Sequence, residues 1–235
     1  MRKLPPPRVD RFETPRGELL VVRGDLLAGG AKRWALTPLM DRWPEEEFVF
    51  GGPAQGYAQL ALAYSAADVG KLATFFVAKR RELHPLTREA QAAGARIIQV
   101  PAGRLSVVQR RAKDYAEAAG AKFCPLGFDL PEMVEEQARL ARSLGLDPPE
   151  VWATAGTGCL SRSLQAAWPS AQHVAVQIGF PPRIGAARLL TAPESFDEIA
   201  RRPPPFPSCA NYDAKSWEFI EREAQPGALF WNVAA

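Results

Sequence analysis

Histidine and cysteine are scarce in this chain. Two histidines, His84 and His173, and three cysteines, Cys124, Cys159 and Cys209, are spread through 235 residues. None of them stands at metal-ligand spacing, which argues against a metal centre. An odd, unclustered set of cysteines argues against a disulfide framework and for a reducing compartment. No apolar run approaches the roughly 20 residues needed to cross a bilayer. The N-terminal MRKLPPPRVD also lacks the apolar stretch of a signal peptide. The expectation is a soluble, cytoplasmic protein with no membrane partner. An excess of one charge is lacking too. Lysine and arginine number 29 against 26 acidic residues, a net charge of +3, which permits contact with nucleic acid without arguing for it.

Hydrophobic content is 47%, enough to bury one large core or two smaller ones. Short apolar runs alternate with helical patterns. Glu18–Val22, Glu47–Phe50, Leu72–Val77, Arg96–Val100, Val151–Thr154, His173–Ile178 and Ala228–Val233 read as strands. Helices are expected from Lys32 onward and over Tyr57–Val69, Pro85–Ala93, Ser106–Ala119, Met133–Leu144, Leu160–Trp168 and Ser216–Glu223, several of them stopped by glycine. This order implies an α/β fold with parallel sheets flanked by helices. The expected organisation has two lobes. Residues 1–49 with 124–235 form the larger, and 50–123 form a smaller insert of β-α-β-α-β-α pattern.

Three turns leave strands through small residues and lead into helices: Ala28-Gly29-Gly30-Ala31, Gly51-Gly52-Pro53-Ala54-Gln55-Gly56 and Ala155-Gly156-Thr157-Gly158. The last has the makings of an anion cradle. Glycines allow close approach, and N–H groups at a helix N-terminus favour negative charge. Thr157 and Ser161 are placed to add hydroxyl donors. Each feature alone also reads blandly, the glycine run as an ordinary turn and Lys32 as one more solvated lysine. A lysine after a small-residue turn, together with a phosphate-type loop, fits a pyridoxal phosphate site. Such a site needs a Schiff-base lysine near a desolvated pocket, a nest of N–H donors and a partner for the pyridine nitrogen.

The order of motifs resembles the fold-type II pyridoxal-phosphate enzymes, the tryptophan synthase β-like superfamily. The nearest look is to the branch of 1-aminocyclopropane-1-carboxylate deaminase and D-cysteine desulfhydrase. Gly29-Gly30-Ala31-Lys32-Arg33-Trp34 is similar to that branch's G-G-N-K-x-R-K. Residues Gly51 to Gln59 are similar to G-G-x-x-S-N-x-T-R, with Ala54-Gln55 in place of Ser-Asn. Ala155-Gly156-Thr157-Gly158-Cys159-Leu160 corresponds to V-G-T-G-G-T. The segments YDAKSWEFI and GALFWNVA look like the motif Y-x-G-K and the last core strand, with Asn232-Val233-Ala234 standing where H-T-G-G would run.

The resemblance implies pyridoxal 5′-phosphate as cofactor, held as an internal aldimine on Lys32. It implies a phosphate site at Gly156, Thr157, Gly158 and Cys159. Gln55 would face the phenolic oxygen or the substrate carboxylate, and Asn232 or a nearby hydroxyl the pyridine nitrogen. Tyr57 and Tyr212 are the candidate catalytic partners of Lys32, with core or anchoring roles as the plain reading. The implied reaction forms an external aldimine with an amino acid and cleaves a bond at Cα, as in lyases, deaminases and decarboxylases. The resemblance also implies a homodimer. Two alternatives stand beside this reading. One is an enzyme of phage thymidine hypermodification, processing an amino acid attached to DNA. The other is a cofactor-binding relic without turnover. The clusters Lys79-Arg80-Arg81, Arg110-Arg111 and Arg201-Arg202 read as solvated faces.

Overall fold

The computed structural model describes residues 3–101 and 103–235. The chain forms two compact units, one of Pro5–Ala31 with Leu130–Ala235 and one built on Lys32–Asp129.

The first unit holds a six-stranded sheet. Its strands are β1 (Val9–Thr14), β2 (Gly17–Arg23), β7 (Glu150–Ala155), β8 (Gln172–Gln177), β9 (Arg188–Thr191) and β10 (Ala228–Asn232). The order is β1-β2-β10-β7-β8-β9. All neighbours are parallel except β1, which folds back on β2 with Val9 opposite Val22 and Thr14 opposite Gly17. Phe230 of β10 pairs with Val21 of β2 on one side and Trp152 of β7 on the other. These three residues point to one face. There they meet Trp217, Ile220 and Ala224, contributed by helix α7 (Trp217–Glu223) and its C-cap. Helices α5 (Pro131–Arg142) and α6 (Cys159–Ala167) pack against each other, and α6 also packs on β7.

The second unit holds a four-stranded, all-parallel sheet of β3 (Glu47–Gly51), β4 (Leu72–Ala78), β5 (Arg96–Val100) and β6 (Lys122–Cys124), in the order β5-β4-β3-β6. Its helices are α1 (Arg33–Arg42), α2 (Ala58–Val69), α3 (Pro85–Ala92) and α4 (Leu105–Ala119). The face bearing Val49 and Phe76 is closed by Val108, Ala112 and Ala116 of α4. Phe48, Phe50 and Phe75 lie on the opposite face, in ring contact with Trp43, with each other or with Phe128. Complete burial of side chains such as Phe48, Phe75 and Phe128 contributes about 1.5–3 kcal/mol each. Continuous apolar strands such as LATFFVA follow from burial on both faces.

The unit boundaries differ from those of the expected lobes. The chain leaves the first unit at Ala31 and returns at Leu130, rather than at residues 49 and 124. The physical reason is pairing: β3 sits between β4 and β6, and α1 is tied to α2 by the Arg33–Asp68 ion pair and the buried Thr37–Ser65 hydrogen bond. The strands at Val9–Thr14, Lys122–Cys124 and Arg188–Thr191 were not anticipated. Among the described residues no helix is long and apolar enough to cross a membrane, and no group of three or more His, Cys, Asp and Glu could hold a metal ion. The three cysteines are buried and form no disulfide.

Candidate functional site

In the six-stranded unit the features of interest gather at the carboxyl ends of β7 and β10, where ligands of open parallel sheets are found. Strand β7 runs into Gly156-Thr157-Gly158, and α6 begins at once. Gly158 is the N-cap residue, at φ +87°. A Cβ there would stand 2.1 Å from the Arg183 carbonyl oxygen, so the turn has no room for a side chain. The Arg183 N–H donates to the Thr157 carbonyl at 2.9 Å, which holds the turn from outside. The first helical bond is Arg162 N–H to the Gly158 carbonyl at 3.1 Å. The N–H groups of residues 159–161 therefore make no bond within the helix, and they coincide with the positive end of its dipole.

Of the two hydroxyl donors expected at this turn, Thr157 and Ser161, the second is turned elsewhere. The Ser161 hydroxyl donates to the Ile184 carbonyl at 3.1 Å. The Cys159 thiol lies 3.8 Å from Gln137 Oε1 on α5, so only the backbone N–H of Cys159 serves the turn. Thr157 Oγ1 is near the Cys159 N–H, at 3.5 Å.

Tyr212 comes to the same place. Its hydroxyl donates to the Thr154 carbonyl at 3.3 Å, and a Cβ on Gly156 would stand 3.2 Å from it. Burial first, and then the neighbouring Asp213 charge, push the phenol well above its ordinary range. The phenol is therefore held protonated, as the donor to the Thr154 carbonyl. Asp213 is 1% exposed, and its Oδ2 accepts from the Val233 N–H at 3.2 Å. Ser216, a turn later, shares a buried 2.7 Å hydrogen bond with Thr154 of β7. Lys215 donates to the Ser195 carbonyl at 2.7 Å, and burial lowers its pKa.

Val233 ties this carboxylate to the turn before Lys32. Its carbonyl accepts from the Ala31 N–H at 2.8 Å. Gly30, at φ +81°, lies so close to that carbonyl that a Cβ would stand 2.8 Å from it. The peptide at 233 thus anchors both Asp213 and the residue that precedes Lys32.

Asn232 plays another part. It is fully buried, its amide donating to Asp25 Oδ1 at 2.8 Å and to the Pro207 carbonyl at 2.9 Å. Its Oδ1 accepts from the Ser208 hydroxyl at 2.8 Å. Asp25 is held in turn by a two-pronged bond from Arg23, at 2.9 and 2.6 Å, and Arg23 reaches Asp10 at 2.6 Å. This network engages the side chain expected at the pyridine nitrogen. The buried carboxylate beside the glycine turn is Asp213, which the sequence reading missed.

In the four-stranded unit, Lys32 is the N-cap residue of α1 and is partly exposed. The Gly51–Tyr57 loop leaves the carboxyl end of β3 for α2. Gln59, 1% exposed, staples this loop by donating to the carbonyls of Ala54 and Gly56. Gln55 and Tyr57 sit half-buried on it, Tyr57 as the N-cap residue of α2. His84 and His173 lie away from these features. His84 Nδ1 accepts from the Leu86 N–H and caps α3, and His173 is hydrogen-bonded to the Trp168 carbonyl.

No family model matches the sequence, and no curated protein matches it. Solved structures do. An ACC deaminase homologue superposes with a TM-score of 0.75 at 13% identity, over 97% of this chain and 92% of that one. The processed form of threonine deaminase isoform 2 from Solanum lycopersicum gives 0.71 at 12% identity, over 96% and 80%. Diaminopropionate ammonia lyase from Escherichia coli gives 0.69 at 13% identity, over 100% and 84%. The chain shares the fold of these structures, an α/β arrangement of parallel sheets flanked by helices. At these identities the likeness is one of fold, and the functional reading rests on the residues.

Proposed function

We propose that this protein is a pyridoxal-phosphate-dependent enzyme acting at the Cα of an amino-acid group, in the manner of a lyase or deaminase. The observation that carries this reading is the glycine turn Gly156–Gly158 set at the start of α6, with the buried Asp213 carboxylate one residue from the tyrosine that touches the turn. These features fit the cofactor's two ends. A phosphate suits the N–H groups at the start of α6, and a buried carboxylate suits a protonated pyridine nitrogen. When bound, pyridoxal phosphate supplies an electron sink for charge developing at Cα.

The chain's own residues divide the remaining work. Lys32 carries the cofactor through its ε-amine and moves a proton at Cα. The backbone of Gly156, Thr157, Gly158 and Cys159 binds the phosphate. Asp213 takes over the part expected of Asn232 and holds a proton on the pyridine nitrogen. Tyr212 donates a hydrogen bond near the turn, and Gln55 and Tyr57 contact the substrate or the phenolic oxygen. Support for these roles comes from the order of motifs and from the geometry within each unit.

The test is the absorbance spectrum of the purified protein with added pyridoxal phosphate. A visible band lost in Lys32→Ala and kept in Lys215→Ala supports the reading. Incubation with free amino acids and with amino-acid-modified DNA, read by mass and by release of ammonia or carbon dioxide, then identifies the bond broken. A band without any product in either arm points to the relic.

A further inference from the structure

The carboxyl-end edge of the four-stranded sheet carries cations without counter-ions. Lys79, Arg80 and Arg81 follow β4, Arg88 lies in the first turns of α3, Arg104 precedes α4, and Arg111 lies in its second turn. All six are exposed, and among the described residues none has an ion-pair partner. Among the described residues the acids beside them outside ion pairs are Glu82 and Glu89, the latter accepting from the Tyr64 hydroxyl at 2.9 Å, while Asp114 and Glu117 are taken by Arg110 and Lys113.

The loops that carry these cations adjoin. The Lys79 N–H donates to the Val100 carbonyl at 2.8 Å, and the Arg80 N–H to Gln99 Oε1 at 3.0 Å. A Cβ on Gly103 would meet that of Ala78 at 3.6 Å. The charges are felt locally: burial and then Arg80 and Arg88 lower the pKa of His84. Beside Arg104, a shallow hollow on α4 is lined by Ser106, Val107, Arg110, Arg111 and Asp114.

The opposite edge of the same sheet is arranged differently. There Arg96 faces Glu47, Lys122 faces Glu45, and Lys71 donates to the Trp43 carbonyl. Proximity of like charges is unfavourable, so an unpaired cluster is the arrangement suited to an external polyanion. No Phe, Tyr or Trp occurs in 79–88 or 103–111, so the edge offers no platform for stacking bases.

We propose that this edge docks the phosphate backbone of a nucleic-acid duplex. Strands β3, β4 and β5 are neighbours, so at about 4.8 Å per strand the patch begins roughly 5 Å, at the end of β4, from the loop that carries Gln55 and Tyr57, and reaches roughly 10 Å at the end of β5. Docking would therefore present a group borne on the duplex to that loop. This last step rests on the function proposed above, whereas the docking itself does not.

The experiment measures fluorescence anisotropy of a labelled, mixed-sequence DNA duplex with the full chain across a salt series. If all six cations engage phosphates, log Kd rises with log salt at a slope of about 5, and Arg81→Ala lowers that slope by about 1. The triple variant Arg80→Glu, Arg81→Glu, Arg104→Glu loses at least about tenfold in affinity at low salt. Its circular dichroism and its pyridoxal-phosphate band stay as in the wild type. Lys32→Ala keeps its affinity for DNA even though it loses the band, so the two proposals fail separately. A salt-independent Kd, or a triple variant that binds as well as wild type, overturns the assignment. So does equal competition by poly-glutamate or by vesicles of phosphatidylserine and phosphatidylcholine.

Discussion

The two sheets treat charge in opposite ways at their carboxyl ends. Beside β10 in the six-stranded sheet, charged and amide groups are buried, and each is matched. Arg23 lies between Asp10 and Asp25, Asp25 also receives Asn232, and Asn232 receives Ser208. In the four-stranded sheet the corresponding end carries exposed cations with no ion-pair partners among the described residues. Burial explains the first pattern, because a charge removed from water needs a counter-charge and hydrogen bonds. Exposure permits the second, because solvent screens the repulsion. One end is built to hold a backbone in place, and the other is free to meet something from outside.

The largest effect expected from breaking this contrast is at Asp25. Asp25→Ala leaves Arg23 half-paired and the Asn232 amide short of an acceptor. It should cost about 3 kcal/mol in urea unfolding, the low end for a broken buried pair because Asp10 remains. The loss should appear as a lower midpoint with an unchanged slope.

Next comes Gly158→Ala, which puts a Cβ against the Arg183 carbonyl at a positive φ. Strain of about 1–3 kcal/mol is expected. Because the turn itself must shift, pyridoxal phosphate affinity should fall by more than stability does. Titration of the visible band checks this.

A smaller effect is carried by pH. Burial first, then Arg80 and Arg88, hold the pKa of His84 below its ordinary 6.5. The unfolded chain therefore takes up this proton at a higher pH than the folded one. The associated stability is complete above 6.5 and declines as the pH falls through the window below it. His84→Asn keeps a cap acceptor and should flatten part of the acid limb of the stability profile. The smallest effect is at Arg80→Ala, expected within about 0.5 kcal/mol of wild type because nothing buried depends on that side chain. A large loss there would erase the contrast between the two ends.

Central strands were legible because they are buried on both faces and read as apolar runs, as in LATFFVA. The edges were not. VDRFET mixes charged and apolar residues, KFC is too short to show a period, and RLLT is largely exposed. The glycine turns were legible because backbone geometry demands the residue type. Asp213 was not, because nothing in Tyr212-Asp213-Ala214-Lys215 announces a buried carboxylate. Its burial arises only where the segment docks on Val233. Asn232 is expected at the pyridine nitrogen because it stands where the resembling family's H-T-G-G would run, but there its amide meets Asp25 and Pro207. The bond to Asp25 joins residues more than 200 apart, which no local pattern carries.

The most direct measurement is mass spectrometry of the protein after borohydride reduction with pyridoxal phosphate. One phosphopyridoxyl group is expected, attached at Lys32 and absent from Lys32→Ala. Labelling at Lys215 instead, or no labelling of the folded protein, would contradict it.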